Sequence, residues 1–224
     1  MNRSQLDKEL GLLKDGLLAM AGVAEEMIKL TIASYTEKSD LLAEQVVSMD
    51  RTLDDMEIKL DLACIDLLAL QSPMASDLRF VTSAIKILPD IERVGDHCAN
   101  IAQRALMLNH LQQILPSGFL ENLGNEASSL MRRSVEAFVA SDTNLAREVI
   151  RDDDKVDELY HRCYRELLRQ MLSDPLCIER ASHLIIVIKN WERIADMATN
   201  IAEEVIYIIE GVNAKHPHLR KQAQ

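Results

Sequence analysis

One phrase of this sequence occurs twice, and that constrains the fold more than anything else in it. Glu92-Arg93-Val94-Gly95-Asp96-x-x-x-Asn100-Ile101-Ala102 returns as Glu192-Arg193-Ile194-Ala195-Asp196-x-x-x-Asn200-Ile201-Ala202. A segment repeated at a fixed interval implies a chain built from two copies of one unit. A weaker pair supports it. Asp50-Arg51-Thr52-Leu53-Asp54 aligns with Asp153-Asp154-Lys155-Val156-Asp157, and residues 43–47 lead into the first as residues 146–150 lead into the second.

Each unit reads as three long helices. Positions 81, 84, 88, 91, 95, 98, 102 and 105 are Val, Ala, Leu, Ile, Gly, Cys, Ala and Ala, and the same offsets plus 100 are also apolar or small. Positions 46, 49, 53, 56, 60, 63, 67 and 70 form a third seam. Apolar residues at alternating spacings of three and four make one buried face of a bundled helix. Only 7 Gly and 5 Pro interrupt 224 residues, too few for the turns of a sheet protein. Turn signals divide the pattern into helices over about 4–36, 40–71, up to about 108, up to Ala140, from Ser141-Asp142 onward, and from Ser173-Asp174-Pro175 to near Gly211. The linker is Asn109–Gly118, with Pro116, Ser117 and Gly118 together. The prediction is an all-α protein of two tandem three-helix bundles, residues 1–112 and 113–224, the second ending in a mobile tail from Lys215 to Gln224.

The charge narrows the function. A formal net charge of −11 argues against nucleic acid, which is met with a basic face. No charge-free apolar run reaches the ~18–20 residues of a membrane span, and the opening MNRSQLDKELGLLK is amphipathic, unlike a secretory leader. Cys64, Cys98, Cys163 and Cys177 form no CxxC, the usage expected of free thiols in a cytoplasmic chain.

The repeated acids carry the chemistry. Glu92 and Asp96 lie four residues apart, so they share a helix face, and Asn100 extends the row; Asp50 and Asp54 do the same on the second helix. Like charges at this spacing repel. Two such rows facing each other across one hairpin call for something positive between them. Four carboxylates there make a hard, oxygen-rich site suited to Mg, Mn, Ca or an iron oxo/carboxylate cluster, not to thiolate zinc. The second half repeats the set as Asp153, Asp157, Glu192, Asp196 and Asn200. The rows border the apolar seams, which predicts half-exposed sites, and Gly95, Ala99, Ala102, Ala195, Ala198 and Ala202 let the facing helices approach. Arg93 and Arg193 are spaced to pair with Asp96 and Asp196.

Other residues read as structural. His97 has Met197 as its counterpart, and Tyr160 replaces Glu57, so His97, Glu57 and Asp61 stay outside the predicted sites. Pro89, opposite Lys189 in the repeat, is expected to kink the third helix. Cys98, Cys163 and Trp191 fall on seams and are expected in the core. No nucleophile–base pair, Gly-rich phosphate loop or HExxH is present, so the chain reads as no enzyme.

Pro73-x-Ala75-x-Asp77-Leu78-Arg79 followed by Glu92-Arg93-x-Gly95-Asp96-x-x-x-Asn100-Ile101-Ala102 resembles the first signature of the PhoU family of phosphate-signalling proteins. Trp191-Glu192-Arg193-Ile194-Ala195-Asp196-x-x-x-Asn200-Ile201-Ala202 resembles its second. The resemblance implies tandem three-helix bundles with multinuclear metal sites: one at Asp50, Asp54, Glu92 and Asp96, the other at Asp153, Asp157, Glu192 and Asp196, with Asn100 and Asn200 as further ligands or orienters. The expected cofactors are divalent or iron cations, Fe, Mn, Mg or Zn. The longer pattern has an acid three residues before the Arg; Asp90 keeps it and Asn190 departs, which sets the second site apart. The implied role is negative regulation of the phosphate-starvation response, with the phosphate ABC transporter and its sensor histidine kinase as partners. Peripheral membrane association and a homodimer belong to the same expectation. Two rivals stand beside it: a metal-free helical adaptor, and a carboxylate-bridged di-metal oxidase, which the missing ExxH in the acidic rows disfavours.

Overall fold

The computed structural model describes residues 3–116 and 118–211. These form six α-helices and no strand: α1 (Arg3–Thr36), α2 (Asp40–Gln71), α3 (Ser76–Leu108), α4 (Phe119–Ala140), α5 (Thr143–Ser173) and α6 (Ile178–Glu210). The predicted tail from Lys215 lies outside the described residues, as does Ser117 of the linker.

Local chemistry sets the ends. Ser39 caps α2 by accepting from the Leu42 N–H at 3.4 Å, and Asp142 caps α5 by accepting from the N–H groups of Asn144 and Leu145 at 2.9 and 3.0 Å. Asp174 accepts from the Leu176 N–H, so a single 3-10 turn, Pro175–Cys177, precedes α6 where the sequence suggested one continuous helix. Gly211 ends α6 with φ 69, a conformation that glycine adopts without strain.

All eight seam positions of α3 and of α6 are buried. The α2 seam drifts: Cys64 and Leu67 are buried, whereas Ala63 is exposed and Leu70 is 77% exposed. A seven-residue repeat rotates ~20° per heptad on a straight helix. Across the 32 residues of α2 that rotation carries the end of the seam out of the core. The helix α3 avoids this because it is covered on two sides, by its own half and by α6. It also runs unbroken through Pro89.

The halves join through α3 against α6 and α1 against α4, and one continuous apolar core crosses between them. Trp191 is buried there as expected; a Cβ added at Gly124 of α4 would stand 3.1 Å from its ring and 3.0 Å from Ile32 of α1. Polar ties cross the same seam. His97 Nδ1 lies 2.8 Å from Asn190 Oδ1, and the buried Glu204 accepts from Ser83 Oγ at 3.0 Å and pairs with Lys86 at 3.1 Å. The four cysteines are free and buried, and burial pushes the Cys98 thiol up to about 12 and Cys163 up to about 11, so both are inert. Among the described residues no helix is long and apolar enough to cross a membrane.

Candidate metal centres

The first acidic row forms where α2 and α3 pack tightly at Gly95. Gly95 permits that approach: a Cβ there would sit 2.5 Å from Leu53 Cδ1 and 3.3 Å from Asp50 Oδ1. The residue therefore seats Leu53 in the core and holds the Asp50 carboxylate beside α3. Asp50, Asp54 and Glu92 are half-buried and Asp96 is exposed, as positions bordering a seam should be. Burial, then the charges of Asp96, Asp54, Glu57 and Asp50, push the Glu92 carboxyl up to about 7. Burial, then Asp96 and Asp54, raise Asp50 as well. No ion pair links these carboxylates to a basic side chain among the described residues. Arg93, expected on Asp96, turns instead to Asp90 at 3.7 Å, so the row is left unbalanced.

The second row lies between α5 and α6. Burial, then the charges of Asp157, Asp196, Glu192 and Asp154, push Asp153 up to about 6. Burial, then Glu192, raise Asp196, against the opposing pull of Arg193 and Lys189. Here the predicted arginine pairing is present, with Arg193 Nη1 donating to Asp196 Oδ2 at 2.8 Å. Lys189 Nζ donates to both Glu192 oxygens, at 2.7 and 2.6 Å.

All eight predicted carboxylates thus gather in two groups of four, each group spread over two helices. The two asparagines do not extend them in the same way. Asn100 is exposed, and Asn200 Nδ2 donates across the α3–α6 seam to Asp90 Oδ1 at 3.4 Å. Three participants were not in the predicted sites. Glu57 and Asp154 add to the fields on Glu92 and Asp153, and Lys189 neutralises Glu192. Glu57 follows Asp54 at i+3 and Lys189 precedes Glu192 at i−3, so helical spacing alone signals both. Comparison of the repeats hid them, because Tyr160 and Pro89 occupy the equivalent positions.

As the side chains stand, no three Asp, Glu, His or Cys among the described residues are arranged to hold one metal ion. What the groove supplies is donor type and charge. The first row is all carboxylate oxygen, crowded enough to keep a proton on Glu92 near neutral pH, which is the environment a hard cation relieves. A separate cavity of about 240 Å³, lined by Leu10, Phe80, Phe138 and Ile208 among others, shares no residue with either row.

Fold and site together define a class: duplicated three-helix proteins with a carboxylate row in each repeat. A family model described as "PhoU domain" matches residues 17–105 and again 120–205, and the chain belongs to the PhoU family. It is 39% identical over 220 residues to the phosphate-specific transport system accessory protein PhoU homolog of Aquifex aeolicus, covering 98% of this chain and 100% of that one. The homolog of the same name from Pseudomonas putida is 35% identical, across 97% of this chain and 85% of its own. Among solved structures, PhoU from Pseudomonas aeruginosa superposes with a TM-score of 0.88 at 35% identity, over 92% of this chain and 99% of that one. The phosphate transport system regulatory protein PhoU from Streptococcus pneumoniae gives 0.87 at 28%, over 94% and 99%.

Proposed function

We propose that this protein is a cytoplasmic regulator of phosphate uptake that restrains the phosphate-starvation response by linking a phosphate ABC transporter to its sensor kinase. The observation that carries this reading is end-to-end similarity to proteins named as accessory to the phosphate-specific transport system, with both repeats present. Deleting the gene in its host and following a phosphate-starvation reporter in phosphate-rich medium tests it. The reporter should become constitutive and return to silence on complementation; a reporter still silent in the deletion strain rejects the role.

Divalent or iron cations at the two carboxylate rows are part of the proposal, supported by the unbalanced charge on Glu92. Such cations would also bridge an acidic protein to anionic lipid head groups. Co-sedimentation with anionic vesicles should then be lost in EDTA, and metal-independent binding removes the bridging idea. The homodimer belongs to the same reading: Leu172 and Leu176, 87% and 88% exposed, are apolar side chains open to a second surface, and sedimentation velocity measures the mass.

One observation favours a second reading, the metal-free adaptor: no three ligating side chains meet at a point among the described residues. Elemental analysis of protein purified without chelator or affinity metal separates the two.

A further inference from the structure

Polar contacts cross the α3–α6 seam from Arg79 to Ile208, Ser83 to Glu204, His97 to Asn190 and Arg104 to His183. Residue numbers rise along one helix as they fall along the other, so the two run antiparallel and a pseudo-two-fold relates the halves. Each end of the molecule therefore has a counterpart. At one end the cavity of about 240 Å³ opens between α1, α3, α4 and α6, walled by Phe80, Phe138 and Ile208 and rimmed by Lys14 and Ser141. The repeat pairs Phe80 with Arg180, Phe138 with Tyr35, Ser141 with Lys38 and Ile208 with Leu108. Those four counterparts meet at the opposite end, and Ser141 and Lys38 share a φ of 52. There the linker between α3 and α4 crosses the opening. Arg180 Nη1 donates to the Gln112 carbonyl at 2.9 Å and Lys38 Nζ to the Leu111 carbonyl at 3.4 Å. Gln112, Gln113 and Ile114 take up the space, and about 10 Å³ is left. A peptide segment outside any helix thus closes one of two equivalent ends.

The cavity end is lined by four helices and the Ser141 turn, with no linker among them. Its rim is positive. Lys14 Nζ donates to the Val139 carbonyl at 3.2 Å, and no ion pair engages it among the described residues. Asp77, the acid in the wall, is held by Arg3 at 2.7 Å. Gly11 also lines the mouth, and a Cβ there would meet nothing within 4 Å, so the missing side chain widens the entrance. A cavity of roughly 150 Å³ takes a benzene ring, and this one has room for a bulky apolar side chain. We propose that it is a docking slot for an extended segment of a partner protein, which sets such a side chain against Phe80 and Phe138 and an Asp or Glu beside Lys14. The sequence that follows Gly211 carries Lys215, Arg220 and Lys221 and no acid, so its charge repeats that of Lys14 rather than complementing it. The slot shares no residue with the carboxylate rows and stands apart from the metal reading.

Fluorescence anisotropy with two labelled peptides tests this. One copies residues 111–119, the stretch that closes the opposite end; the other is the same peptide with Q113E, which puts an acid directly before Ile114. The proteins are the parent, Gly11→Leu, Lys14→Met and Lys14→Arg, each checked for folding by circular dichroism melts. The parent should bind the Q113E peptide about threefold more tightly than the neutral one. Lys14→Met should bind the two equally, and Lys14→Arg should keep the preference. Gly11→Leu should weaken both by at least about tenfold, because its side chain enters the space that the apolar anchor needs. If Gly11→Leu binds as the parent does, the peptide sits elsewhere and the proposal falls. Equal binding of the two peptides by the parent, or a preference that survives in Lys14→Met, overturns the acidic partner. No binding of either peptide at about 1 mM overturns the slot itself. A peptide copying residues 212–224 that binds more tightly than the Q113E peptide assigns the slot to this chain's own sequence. A mass by sedimentation velocity that falls in Gly11→Leu assigns it to a second copy. Either result overturns the partner protein.

Discussion

The two halves of this molecule place the same acids on the same helical phase and leave them in different electrical states. The cause lies one turn away from the acids. In the first half Asp90 draws Arg93 to itself, 3.7 Å away, and the Glu92–Asp96 row goes without a counter-charge. In the second half position 190 is Asn, which receives His97 instead, and Arg193 is left to bond Asp196 at 2.8 Å. Lys189 completes the balance on Glu192. A shape difference accompanies the charge difference. Gly95 faces Leu53 in the first half; Ala195 replaces the glycine in the second, and Val156 replaces the leucine. The methyl that α6 gains is matched by a shorter side chain on α5. Repetition has kept the carboxylates while the residues around them decide what the carboxylates need.

The largest effect expected from this contrast is in cation affinity. On the metal reading proposed above, Asp96→Ala removes a carboxylate from the unbalanced row and should weaken Mn²⁺ binding by about a hundredfold while the bundle stays folded. Asp196→Ala, in the row already served by Lys189 and Arg193, should change Mn²⁺ binding by less than about threefold. Calorimetric titration of both variants measures this. Equal losses would erase the distinction between the halves, and no loss at Asp96 would remove that residue from the site.

Packing comes next. Gly95→Ala drives a Cβ to 2.5 Å from Leu53 Cδ1, in a place where Leu53 is fully buried and has little room to turn. Overpacking of this kind costs about 1–3 kcal/mol, offset in part by the better helix propensity of Ala. A net loss of about 1.5 kcal/mol is expected in urea melts. The double variant Gly95→Ala/Leu53→Val reproduces the Ala195–Val156 pair and should recover most of it. If the double variant is less stable than Gly95→Ala alone, the compensation between the halves is not steric.

Which of these features a reader of the sequence can see follows from their range. The helices, the turn at Asp142 and the end at Gly211 depend on neighbours in the chain and on helical periodicity, and all were legible. The repeat also marks eight acids twice, and the fold gathers these in two groups of four. The Arg93 pairing was not legible. At i,i+3 Arg93 can reach Asp90 or Asp96, and spacing does not choose between two acids on opposite sides of one residue. The outward drift of α2 at Ala63 and Leu70 depends on how far the helix coils around its neighbours, which no local pattern records. Glu57 and Lys189 were hidden by the device that exposed the rest. Comparing repeats rewards what is shared, and these two positions matter because they are not.

Titration separates the halves at a smaller scale. In metal-free protein Glu92 has a folded pKa of about 7 against about 4.3 in the unfolded chain. Between those values the folded state holds a proton that the unfolded state has released. Stability from this group is therefore complete below about 4.3 and lost as pH rises through 7. The corresponding window for Asp153 closes near 6. Between pH 6 and 7 Glu92 should contribute more of the slope than Asp153, and Glu92→Gln should reduce it. The gain in stability at pH 8 should be about 1 kcal/mol once solvent screening of a half-buried group is allowed for. Thermal melts in EDTA from pH 5 to 8 measure both quantities, and an unchanged slope in Glu92→Gln would show that the proton resides elsewhere.

The arginines give the smallest contrast. Arg193 and Asp196 are 49% and 35% exposed, so water screens their bond, and Arg193→Ala should cost about 0.5 kcal/mol. Arg93→Ala breaks a longer pair, 3.7 Å, with Asp90, which keeps its contact with Asn200, and should cost less than that. Their effects on the acids should differ in kind. Loss of Arg193 uncovers Asp196 and should move the second row toward the state of the first, raising its Mn²⁺ affinity slightly. Loss of Arg93 should leave the first row's affinity unchanged, because that arginine is already turned away. A drop in first-row affinity on Arg93→Ala would mean that the guanidinium orients the row from the Asp90 side, and the halves would then differ less than their ion pairs suggest.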